Sequence, residues 1–81
     1  MAMQHPLPLF ARPVNTAWLD AMFCAQAVNR GGVLRRAVRD VEREVGRDAF
    51  VAAVRARGFH LVECSGQFIV ICNARPLRVI V

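Results

Sequence analysis

Between Ala17 and Val28 only Asp20 and Gln26 interrupt an apolar run that includes Trp18, Leu19, Met22, Phe23 and Cys24. Such a segment predicts a helix with almost no face for water, and a helix of that kind must be covered on most sides. Asn15 or Thr16 can cap its start by accepting a bond from an orphan N–H, and Gly31 or Gly32 ends it. It is expected to be either the central helix of the core or an interface helix. From Val33 the spacing of Leu34, Val38, Val41 and Val45 predicts a second helix with an arginine-rich polar face, ended by Gly46. Asp48 then caps a third helix over 49–57, with Phe50, Val51 and Val54 inward and Gly58 as its stop. One continuous helix through Gly46 is the alternative, at a cost of about 1 kcal/mol relative to alanine.

From Phe59 the period shortens. Residues 59–64 and 68–72 predict two strands joined by a two-residue turn at Ser65-Gly66. Asn73-Ala74-Arg75-Pro76 reads as a second turn, and 77–81 as a third short strand. The hairpin would pair Glu63 with Phe68, Leu61 with Val70 and Phe59 with Cys72. One face then carries Phe59, Leu61, Phe68, Val70 and Cys72. The other carries His60, Val62, Cys64, Ile69 and Ile71, also mostly apolar. A half-solvated sheet alternates apolar with polar residues. This one does not, so the second face calls for cover, from the N-terminal helix or another subunit.

Pro6, Pro8 and Pro13 exclude a helix interior or a central strand near the N-terminus, so residues 1–14 are expected to be an extended arm and 15–81 a single domain. The expected class is α+β: arm, two or three helices, then a three-stranded antiparallel sheet. Its 81 residues suffice for one domain, and 56% hydrophobic residues exclude intrinsic disorder. No apolar run reaches the roughly 20 residues that span a bilayer. The segment before Arg12 lacks the basic start and unbroken apolar stretch of a secretory signal. Cys24, Cys64 and Cys72 are odd in number and form no CxxC, which argues against a disulfide framework. The expected compartment is the cytoplasm.

Catalytic chemistry finds little material. His60 and Cys64 have an H-x3-C spacing, but on a strand they lie about 13 Å apart and cannot share one metal ion unaided. Cys64 or Ser65 with His60 would be the nucleophile and base, yet that strand spacing keeps His60 from Cys64. Gly31-Gly32 precedes a helix without the lysine or spacing of a phosphate loop. Neither catalysis nor a cofactor is expected.

The formal charge of +5 is carried by arginine alone, and twelve alanines and twelve valines accompany it, the usage that a high-GC coding sequence imposes. Arg35, Arg39 and Arg43 would line one side of the second helix, with Arg36 and Arg47 beside them. Such a stripe can neutralise phosphates. Four acids, Asp40, Glu42, Glu44 and Asp48, are threaded through it and would pair with it.

The wording Asp48-Ala49-Phe50, then Arg57-Gly58-Phe59-His60-Leu61-Val62 and Gly66, resembles the HicA-type mRNA interferase toxins over about residues 48–81. The resemblance implies a double-stranded-RNA-binding-like fold. The family's catalytic His falls on Phe68 and its Ser on Gln67, so no site residue carries over.

The leading expectation is a non-catalytic protein-binding module, an inhibitor or adaptor, using Trp18, Met22, Phe23, Ile69 and Ile71 toward a protein partner or a second copy. Its size and composition suit an accessory protein of a bacterium or its mobile elements, the anti-CRISPR type included. The alternative is a small nucleic-acid-binding regulator using Arg35, Arg36, Arg39, Arg43 and Arg47.

Overall fold

The computed structural model describes residues 14–81, so the expected arm lies outside the described residues except for Val14. The class is α+β. Helix α1 spans Thr16–Phe23 and the single turn α2 spans Gln26–Asn29; strand β1 is Val33–Ala37; α3 is Val38–Glu44 and α4 is Arg47–Ala56; strands β2 and β3 are His60–Cys64 and Gln67–Ile71. The sheet is antiparallel throughout, in the order β1-β3-β2.

Asn15 caps α1, its side-chain oxygen accepting from the Trp18 N–H at 3.0 Å. The same residue clamps α1 to the end of α3, donating from its backbone and side chain to Glu44 at 3.0 and 2.9 Å. The expected long first helix breaks at Cys24-Ala25, where Ala25 is extended. The break lets Met22 and Phe23 on one segment and Val28 on the next meet the same core.

The larger correction concerns residues 33–37. They form β1, not the first turn of a helix, and they replace 77–81 as the third strand. The periodicity misleads because Leu34 satisfies two patterns. It lies four residues before Val38, yet it also alternates with the outward Val33 and Arg35. Pairing with β3 decides between them: Leu34 sits opposite Val70 on the inner face, and the Cys72 N–H donating to the Gly32 carbonyl at 2.8 Å extends the ladder. Residues 77–81 pair with no strand, and Val79, Ile80 and Val81 are exposed.

Between α3 and α4 the chain turns at Gly46, whose φ of +86° suits glycine and few other residues. Gly46, not Asp48, is the N-cap of α4; Asp48 falls in the first turn, where its charge favours the helix dipole. At the other end the Phe59 N–H bonds to the Val54 carbonyl and the Gly58 N–H to that of Arg55. This is a Schellman closure with Gly58 at φ +72°. The hairpin forms as expected, with Glu63 opposite Phe68 and Leu61 opposite Val70. Its turn residues Ser65 and Gly66 both have positive φ, as a type I′ turn requires.

All the helices contribute to one core on one side of the sheet. Leu34, Phe68, Val70 and Cys72 from the sheet segments meet Phe23, Val41, Phe50 and Val54 from the helices. The rings of Phe50 and Phe68 lie 5.0 Å apart, both fully buried. Truncating Phe50 to alanine is expected to lower the unfolding free energy by about 3–5 kcal/mol. Val62→Thr, on the opposite sheet face, should change it by no more than about 0.5 kcal/mol. Urea denaturation of the two variants checks the contrast.

Candidate docking surface

Strand pairing sets the outer face as a grid of nine side chains. Its rows are Val33, Ile71 and His60; Arg35, Ile69 and Val62; and Ala37, Gln67 and Cys64. None of the nine is buried, and no outer-face residue belongs to the core cluster. Val33 is 55% exposed and Val62 40%, so β-branched side chains meet water where a half-solvated sheet would place polar ones. Helix α1, expected from the sequence as one source of cover, packs on the inner side through Met22 and Phe23 instead.

The residues expected to bind a partner therefore separate. Ile69 and Ile71 lie on the open face. Met22 and Phe23 are 3% and 8% exposed and are core residues, and Trp18 packs half-buried against the core. The correction has a simple cause: in so short a chain, the helix with fewest polar positions is the one that the sheet must cover. Val33 and Val62 belong to the surface as well. The helical spacing around Val33 hides its place on a strand, whereas Val62 stands on the apolar outer face that the hairpin alternation already outlines.

The arginines separate too. Because the helix begins at Val38, Arg35, Arg39 and Arg43 do not form one stripe. Arg35 points outward on β1, while Arg36 lies on the other side of that strand and donates to the Arg35 carbonyl at 2.6 Å. Arg39 is exposed on α3. Arg43 pairs with Asp40 at 3.2 Å and with Glu44 at 3.4 Å. Arg47 holds both oxygens of Glu63, at 2.9 and 3.2 Å, reaches Glu42 at 3.5 Å, and lies 5.1 Å over the Phe68 ring. It braces α4 to the hairpin. Arg57 covers the Phe23 ring at 3.9 Å and donates to the Ala53 carbonyl.

His60 donates from Nε2 to the Arg75 carbonyl at 2.6 Å, which brings the chain after β3 alongside the start of β2. Asn73 holds that exit, donating to the Gly31 carbonyl at 3.1 Å and accepting from the Arg75 N–H at 3.0 Å. Cys64 lies 3.7 Å from the Ser65 hydroxyl. Burial pushes the Cys72 thiol up from its ordinary value, while Cys24 and Cys64 are exposed. Among the described residues no three His, Cys, Asp or Glu side chains gather as metal ligands, and no helix is long and apolar enough to cross a membrane. Comparison with protein families, curated proteins and solved structures finds no match to this chain.

The hydrogen bonds from Arg47 hold the Glu63 carboxyl below its ordinary value. A carboxyl lowered by folding stabilises the native state above its unfolded value, and that contribution fades as pH falls through the lowered one. Carboxyl titration followed by NMR should place Glu63 below the ordinary glutamate range in the native protein. In Arg47→Ala it should return to that range. An unchanged midpoint would show that the brace does not persist in solution.

Proposed function

We propose that this protein is a non-catalytic binding module that docks a protein partner on the outer face of its sheet. One observation carries the reading. Val33, Val62, Ile69 and Ile71 form an apolar surface on the side of the sheet away from every core residue. Contiguous exposed apolar surface rimmed by polar groups is a mark of interaction sites. Its burial against a partner is favourable by about 25 cal/mol per Å² of apolar area, before the costs of association. The module acts by occupancy, as an inhibitor or adaptor does.

Cys64 stands at a corner of the grid and supports a direct test. A photoreactive maleimide placed on Cys64 in Cys24→Ser should cross-link to a protein in lysate of the source cells. Unlabelled chain should compete the adduct away, and unlabelled Val62→Asp should not. The same adducts from a label on Cys24 in Cys64→Ser would end the reading.

A second reading rests on a different observation. Helices α3 and α4, joined at Gly46 and followed by the hairpin, have a helix-turn-helix order. Arg39 and Arg55 are exposed on them, and no ion pair involves either among the described residues. As a nucleic-acid-binding regulator the protein would hold a duplex with these arginines. The log of its affinity would fall linearly with log salt. Anisotropy with a labelled duplex should then show Arg39→Ala reducing the slope by about one. No binding at low salt would remove this reading.

A further inference from the structure

We infer that the partner of the outer sheet face is an acidic amphipathic helix, an inference that rests on the docking reading above and names its partner. The carboxylates of the chain lie off the outer grid. Its carboxylates are Asp20, Asp40, Glu42, Glu44, Asp48 and Glu63. The first five lie on helices, and Glu63 shares the inner face with Phe68, opposite it in the β2–β3 register. The outer grid holds no carboxylate, and neither does any side chain beyond Glu63. Arginine occurs on both flanks of the apolar patch. Arg35 stands on the β1 edge, in the row of Ile69 and Val62. The bond from His60 to the Arg75 carbonyl brings the exposed Arg75 alongside β2.

This arrangement decides among occupants. A second copy using the same face would bring only positive groups together, and like charges across an interface oppose it. Single-stranded nucleic acid recognised on a sheet needs aromatic side chains for its bases, and the grid has none of Phe, Tyr or Trp. Interfacial membrane segments insert Trp, Phe or Leu, and the grid supplies short valine and isoleucine side chains instead. An apolar stripe edged by Asp or Glu satisfies both the patch and its flanks. The dimensions favour a helix. Three strands at about 4.8 Å spacing make a surface about 10 Å across between the outer strand axes, the width of one helix. Strands of five residues run about 17 Å, the rise of about three helical turns.

Two synthetic 18-residue helical peptides with one leucine-isoleucine stripe, flanked by glutamate in one and by lysine in the other, test the inference against the isotopically labelled chain. The glutamate peptide should shift the amide resonances of 33–37, 60–64 and 67–71 and bind at least tenfold more tightly than the lysine peptide. Arg35→Glu, an exposed substitution, should reverse that order of preference, and Val62→Asp should abolish binding of both. Equal binding of both peptides at these resonances would overturn the acidic partner while leaving the docking face in place. Dimerisation abolished by Val62→Asp, with no peptide bound, would assign the face to a second copy and overturn the inference. Shifts produced only by anionic vesicles, or by duplex or single-stranded DNA, would overturn both the inference and the docking reading. Absence of any shift with either peptide would refute the inference.

Discussion

The packing of Phe50 against Phe68 determines what the rest of this molecule can do. Phe68 lies on the central strand, so the face it points from becomes the inner face for β1 and β2 as well. Phe50 lies on α4, and burying the two rings commits that helix to the same side. Side chains in a strand alternate strictly, so every second residue of each strand must then point the other way. The outer face is a consequence of the inner one. With only one helical layer, the apolar residues on the outer positions stay outside the core cluster.

Arg47 shows how the sequence protects that choice. Its guanidinium lies over the Phe68 ring and reaches across to Glu63 on the hairpin. A bidentate arginine–carboxylate contact has a fixed geometry, so it orients the hairpin relative to α4 as well as attracting it. Exposed pairs of this kind contribute little net stability. Their value here is positional, because the register of β2 against β3 determines which residues point outward. Arg47 ties α4 to the hairpin and Arg57 covers the Phe23 ring, whereas Arg43 pairs within α3 and Arg35 stands on the outer face.

Much of this was legible in the residues. The hairpin, its turn and its register followed from alternation around Ser65-Gly66, and Asn15 stood with Thr16 as the two candidate caps of α1. The apolar outer face followed too, for the two strands that local pattern reveals. What local pattern could not reveal was β1. Leu34, Val38, Val41 and Val45 fit a helical period, and only a partner more than thirty residues away selects extended backbone for 33–37. The difference reaches the candidate site. A helix over 33–37 would carry Val33 and Arg35, would assemble an arginine stripe that the fold divides, and would leave Met22 and Phe23 as the apparent surplus.

The strand assignment therefore changes the meaning of the charge as well as the fold. On a helix, Arg35 would have been one member of a cluster threaded with carboxylates and largely neutralised by them. On β1 it stands in the same row as Ile69 and Val62, on a face without a carboxylate. The composition alone could say only that the chain is basic and rich in apolar residues. The sheet order places those two excesses beside one another, and the proposed docking reading rests on that coincidence. In that reading apolar area supplies the favourable burial, and arginine beside it favours partners of opposite charge.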